Sequence, residues 1–124
     1  MAITWLKKAE LKGNATLTNS YIVVNQSFAD RFTNSYMACV GLDENQNIII
    51  KPLKLDECES PLYKDSLLLK INIFKSFVRL GNTESMKIIR DLINIDIPKN
   101  GIKYLTEWSN KENALVVLTK KGEN

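Results

Sequence analysis

Histidine is absent from the 124 residues. Its absence removes Ser-His-Asp and Cys-His nucleophilic systems, His-ligated zinc or non-haem iron, and imidazole acid–base chemistry. Cysteine is scarce. Cys39 sits in an apolar run and Cys58 in an acidic stretch, with no CxxC spacing. That argues against structural zinc and reads as a core thiol and a surface thiol in a reducing compartment. The five glycines, at 13, 41, 81, 101 and 122, are too scattered to cradle a phosphate, and no GxSxG, P-loop, GxGxxG or acidic metal motif occurs. No apolar run has transmembrane length, and the opening MAITWLKKAELKGN lacks a signal-peptide core. The expectation is a cytoplasmic protein with no membrane partner. Basic runs are also missing: the densest pairs are Lys7-Lys8 and Lys120-Lys121, too short for a tail that binds nucleic acid by itself. Together these absences point away from an enzyme and call for no cofactor.

What is present is ordinary globular material, 44% hydrophobic and 25% charged, so one domain over residues 1–124 is expected. Seventeen Lys and Arg against fourteen Asp and Glu give a net charge of +3. That permits contact with a polyanion without demanding it.

The patterning predicts a mostly β, α+β chain. Ala15 to Val24 reads as extended, with Asn19-Ser20 able to bend it. Asn25 stands in an N-cap position ahead of a two-turn helix, Gln26 to Phe32, with Phe28 and Phe32 on one face. Tyr36 to Leu42 and Asn47 to Pro52 form a hairpin across DENQ, and Pro52, having no N–H, closes its second strand. Residues 54–65 read as a loop. Ser66 to Asn72 is a strand; IFKSFVRL then reads as a second short helix, because Phe74, Phe77 and Val78 recur at i, i+3 and i+4. Gly81-Asn82 would stop it. Lys103 to Trp108 and Ala114 to Thr119 make a second hairpin.

The second half therefore repeats the order of the first. Half-units 14–53 and 66–119 each read as βαββ, and two such units can close into a small barrel that neither could bury alone. Residues 82–101 interrupt the second unit as an insertion, with a helix near 84–93 and then an extended segment that Pro98 and Gly101 terminate.

The stretch SYIVVNQSFADRFTNSYMACVGLDENQNIIIKPL, Ser20 to Leu53, resembles the swapped-hairpin module of AbrB-like bacterial transition-state regulators. Ile22-Val23-Val24 match its strand, Asn25 its cap, Phe28 and Phe32 its apolar helix positions, and Lys51 its terminal basic residue. The family's basic helix position falls on Ala29, with Arg31 two places on, and the glycine that commonly follows the helix is Thr33. The resemblance implies a small DNA-binding regulatory protein, a barrel that holds duplex DNA through basic residues on strands and loops. Family members usually build the barrel from two chains; here the repeat would let one chain supply both halves, or two chains would pair again as a homodimer.

Candidate residues each carry two readings. Lys7, Lys8 and Lys12 would contact phosphates or line a solvated face, with Trp5 and Leu6 tucked inward. Lys75 and Arg79, at i and i+4 on the predicted second helix, would extend a binding surface or form a plain polar face pointing away from Phe74, Phe77 and Val78. Arg31 joins the nucleic-acid set through the resemblance. Tyr104 and Trp108, four apart on a strand, share one face; they are core, or else an exposed patch for stacking bases or docking a protein. The function expected is duplex-DNA binding through a basic barrel surface. The alternative is a non-catalytic interaction or adaptor domain that uses Tyr104 and Trp108.

Overall fold

Alternating burial sets the course of the chain in the computed structural model, which describes residues 2–4 and 13–119. The strands are β1 (Gly13–Leu17), β2 (Ile22–Asn25), β3 (Met37–Leu42), β4 (Ile48–Leu53), β5 (Leu68–Ile73), β6 (Phe77–Leu80), β7 (Ile102–Ser109) and β8 (Ala114–Val117). Every second side chain turns inward, as the two-residue repeat of a strand requires. Ala15, Leu17, Ile22, Val24, Ile48, Ile50, Val78, Leu80, Leu115 and Val117 are fully buried at these positions. Among the described residues three helices accompany them: α1 (Gln26–Ala29), continued by a 3-10 turn at Asp30–Phe32, α2 (Leu55–Cys58) and α3 (Thr83–Ile93). None among the described residues is long and apolar enough to cross a membrane.

All neighbouring strands are antiparallel, and they close into a barrel in the order β1-β2-β6-β5-β3-β4-β8-β7. This order maps onto itself, read backwards, when β1–β4 are exchanged for β5–β8. The two halves are therefore related by a pseudo-dyad that passes between β2 and β6 and between β4 and β8. The four hairpins alternate around the barrel, one from each half in turn, so no hairpin pairs in a ladder with the other hairpin of its own half.

The half-unit is larger than the sequence pattern suggested: two hairpins joined through a helix. Ala15 to Val24 is a hairpin rather than one strand, because Thr18 folds the chain back. Its N–H donates to the carbonyl of Tyr21 at 2.9 Å and its hydroxyl to the same oxygen at 2.8 Å. The predicted helix over IFKSFVRL is also a hairpin, β5–β6. Lys75-Ser76 supply the turn, the Phe74 N–H donates to the Phe77 carbonyl at 2.9 Å, and four consecutive residues of β6 pair with β2. Helical spacing and strand alternation coexist in FVRL, and ladder pairing on both sides decides for the strand. Gly81 consequently does not stop a helix. It stands at φ +87° between β6 and α3.

That reassignment changes the role of α3. It is the second half's counterpart of α1 and not an insertion. α1 follows β2 and packs on β1, β2 and β6 at one end of the barrel, where Phe32 is fully buried. α3 follows β6 and closes the opposite end with Met86 and Ile89, both fully buried. Its Arg90 Nη1 donates to Asn19 Oδ1 at 2.7 Å, which ties α3 to the β1–β2 turn. The two helix starts differ. Asn82 caps α3, its Oδ1 accepting from the Ser85 N–H at 2.9 Å while Ser85 Oγ accepts from the Asn82 N–H at 2.8 Å. Asn25 makes no such bond, since its backbone is still extended and paired with Phe77, and its Oδ1 is buried with no partner. The predicted loop 54–65 contains α2, started by Glu57, whose carboxylate accepts from the Lys54 N–H at 2.9 Å. β4 runs one residue past Pro52, whose missing N–H costs the ladder one donor without ending it. Residues 94–101, expected to start extended, form an irregular crossing to β7 that ends in a turn from Pro98 to Gly101.

Gly101 has a specific reason to be glycine. Its φ is +81°, and a Cβ there would lie 2.8 Å from the Leu17 carbonyl oxygen and 3.1 Å from Thr16 Cγ2. Gly101→Ala is expected to cost about 1–3 kcal/mol, from left-handed strain plus a backbone clash. Gly41→Ala, which would meet nothing within 4 Å, should stay within about 0.5 kcal/mol. Urea unfolding of the two variants measures the contrast; equal midpoints would refute it.

Candidate nucleic-acid interface

Across the outer face of the barrel the register aligns one row, Lys103–Thr16–Val23–Arg79–Asn72, over β7, β1, β2, β6 and β5. At roughly 4.8 Å between strands this row spans about 19 Å. Arg79 is its centre. The guanidinium carbon lies 4.4 Å from the centroid of Tyr21, 4.8 Å from Phe74 and 5.7 Å from Phe77. Phe74 and Phe77 stack on each other at 4.8 Å, with their planes 12° apart. The attraction of a cation to ring faces holds the guanidinium among these rings. Its Nε is buried without a hydrogen-bond partner. Phe74 keeps 42% of its surface exposed beside Phe77 and Arg79.

Within four of the five strands of the row the charge has one sign; the fifth, β7, carries the exposed Glu107 on the same outward side as Lys103. Residues 13–25 and 68–80, which make up β1, β2, β5 and β6 with their turns, contain Lys70, Lys75 and Arg79 and no carboxylate. Lys70 and Lys75 are exposed. The acidic residues of the described chain lie elsewhere, mainly in 43–65, in and around α3, and in the β7–β8 hairpin.

The candidate residues read from the sequence are redistributed accordingly. Lys75 and Arg79 do share a surface, but through the β5–β6 hairpin rather than a helix. Arg79 lies on the same side as Phe74 and Phe77, with Val78 alone turned inward, which reverses the predicted facing. Arg31 is exposed at the α1 end, its guanidinium carbon 4.9 Å over the Trp108 ring. Trp108 in turn stacks against Phe28 at 6.5 Å. A basic candidate and an aromatic candidate thus meet at one end of the barrel. Tyr104 and Trp108 share a strand face as expected, and that face is the inner one. Tyr104 is 7% exposed and belongs to the core, while Trp108 is half-buried against it. Tyr104 therefore presents no exposed patch. Lys7, Lys8 and Lys12 lie outside the described residues.

Sequence reading passed over Tyr21, Phe74 and Phe77 as partners of Arg79. The available signal was the strict alternation Phe77, Val78, Arg79, Leu80, which puts phenylalanine and arginine together on one face.

A second concavity, about 640 Å³, lies on the other flank, floored by the outer faces of β3, β4 and β8 and walled by Leu62 and Tyr63. Cys39 and Lys51 face each other across its ladder, and Lys51 Nζ donates to the Glu112 carbonyl at 2.5 Å. Burial raises the Cys39 thiol above its ordinary pKa, and Lys51 offsets only part of that. Burial and then Glu57 raise Cys58, whose side chain is buried rather than on the surface as its acidic surroundings suggested. Both thiols should therefore alkylate slowly at neutral pH in the folded protein and rapidly in denaturant, Cys58 the slower. Peptide mass spectrometry after iodoacetamide treatment reads this directly, and fast labelling of folded Cys58 would contradict it.

In comparisons with known proteins, no family model, no curated protein and no solved structure matches this chain.

Proposed function

We propose that the chain is a non-catalytic nucleic-acid-binding regulatory protein that uses the β1-β2-β6-β5 face of its barrel. The observation that carries this reading is the coincidence, on four adjacent strands, of three cations, three aromatic rings and no carboxylate. Phosphates are attracted to such a face from a distance, and no fixed negative charge on those strands opposes them. The AbrB-like part of the proposal draws on the stretch Ser20–Leu53, which supplies β2, α1, β3 and β4, and on the interleaving of two related half-units. Duplex DNA is the ligand that resemblance implies, and Arg31 and Lys75 are its further contacts.

Retention of fluorescent DNA by the full chain at low and at physiological salt tests the reading. Arg79→Ala should weaken binding and reduce the slope of log affinity against log salt by about one. No retention even at low salt would remove the proposal. The barrel closes within one chain, so a homodimer would be a further pairing of two complete barrels; sedimentation tests it, with twice the 14.1 kDa chain mass for the pair and a monomer at micromolar concentration excluding it.

The second reading, an interaction module, draws on apolar side chains left exposed: Tyr36 at 57%, Leu55 at 52% and Leu62 at 79%. Binding that survives Arg79→Ala but is lost in Tyr36→Ser would favour it.

A further inference from the structure

We infer that the ligand of the Tyr21–Phe74–Phe77–Arg79 face is single-stranded nucleic acid. This rests on the nucleic-acid reading above and departs from the duplex that the family resemblance implies. Three features of the face carry it.

The first is the exposed ring. A phenylalanine on an outer barrel surface, flanked by a second ring and a guanidinium plane, is a stacking platform. Only an unpaired base can lay its face on it, because bases in a duplex are already stacked on each other. The second is the posture of Arg79. Reading a duplex needs side chains that project to base edges at the bottom of a major groove about 8.5 Å deep. Arg79 instead lies against three rings, all within 5.7 Å. Its charge is held close to the rings rather than extended away from the sheet. The third is shape. Duplex readers insert a helix or a ribbon into a groove. Here α1 and α3 are spent on sealing the barrel ends, with Phe32, Met86 and Ile89 fully buried. α1 has only four residues, and the outward side of α3 carries Glu84 and Asp91 beside its Lys87.

The dimensions suit a strand. A row of about 19 Å accommodates about five nucleotides at the roughly 3.4 Å spacing of one stacked strand. Lys103 and Lys70 are exposed near its two sides and Lys75 at the turn, placed to meet the phosphates on either side of the stacked bases. Asn72 and Thr16, also in the row, offer hydrogen-bonding groups to base edges. Stacking is tolerant of sequence, so binding should show weak base preference.

The test compares a labelled oligothymidylate of about 20 nucleotides with a duplex of equal length, using the full chain at about 50 mM and about 200 mM salt. Single-strand binding at least about tenfold tighter than duplex binding is expected, with Phe74→Ala lowering single-strand affinity about tenfold or more. Phe74→Leu keeps the apolar bulk and removes the ring, so it separates stacking from packing; it should lose nearly as much as the alanine. Thermal melts of both variants should remain cooperative and well above the assay temperature, since Phe74 lies at a turn and packs only against Phe77 and Arg79 among the described ring contacts. If duplex is held as tightly as single strand, or Phe74→Leu binds like the parent, this inference is overturned while the nucleic-acid reading stands. If neither ligand is held at low salt, the reading beneath it fails, and this inference with it.

Discussion

Cut between Ser60 and Pro61, the chain is expected to yield two halves that are each unfolded alone and that recover the barrel when combined. The reason is the alternation of hairpins. Within residues 1–60 the described strands form β1–β2 and β3–β4, and these two hairpins share no ladder. Each ladder that joins one hairpin to the next crosses between halves: β1 with β7, β2 with β6, β3 with β5 and β4 with β8. A lone half therefore holds two isolated two-stranded hairpins, which are marginal in water at best. Its inward side chains, such as Ile22, Val24, Ile48 and Ile50, would lose the facing half of the core. Circular dichroism and amide exchange on each half, then on the equimolar mixture, measure this. A cooperative, concentration-independent melt of either half by itself would show that the barrel is not built as an interdependent pair. Because the halves are pseudo-equivalent, concentration-dependent folding of one half would be self-pairing and consistent with the argument.

The same interleaving explains what the sequence did and did not disclose. The DENQ hairpin and the β7–β8 hairpin were readable because apolar runs of strand length flank obvious turn residues. The existence of two related halves was readable too, since the pattern of strand, helix and hairpin recurs. Their composition was not. Each half sets its first turn inside a continuous β-prone stretch without glycine or proline: Thr18–Tyr21 in one, where Asn19-Ser20 marked a bend though not a full reversal, and Phe74–Phe77 in the other, which nothing marked. In the second, Phe74, Phe77 and Val78 fit a helical face as well as a strand, and only pairing with β2 and β5 resolves the ambiguity. That one reading misplaced α3 as an insertion and turned Arg79 away from the two phenylalanines it covers. The candidate face was correspondingly half legible. Its charges were visible in the sequence, but its aromatic partners come from two hairpins of different halves, a juxtaposition only closure of the barrel creates. Tyr104 shows the converse: an even spacing reveals a shared face without saying which side of the barrel it is on.

Phe32→Ala and Ile89→Ala together are expected to leave no stable folded state at 25 °C. Phe32 closes one end of the barrel from the turn after α1, and Ile89 closes the other from α3; both are fully buried. Alone, each removes a large core side chain and leaves a cavity, at about 3–5 kcal/mol for the phenylalanine and about 2–5 kcal/mol for the isoleucine. The two sites lie beyond opposite ends of β2, whose three residue steps alone cover about 10 Å. They share no hairpin turn or helix, so their costs should add. The sum, about 5–10 kcal/mol, matches the lower two thirds of the roughly 5–15 kcal/mol range of domain stability, so it exhausts any stability up to about 10 kcal/mol. The control lies on the same helix. Ile88 and Leu92 are 51% and 49% exposed, so Ile88→Ala should change stability by no more than about 0.5 kcal/mol. Urea denaturation of the single variants, and the native-state signal of the double, decide the matter. If Ile89→Ala cost no more than Ile88→Ala, Ile89 would not be a seal of that end, and Met86, the other large buried side chain of α3, would have to cover Leu17, Ile22 and Leu80 by itself. Any part of those three side chains that it left uncovered would meet water at about 25 cal/mol per Å².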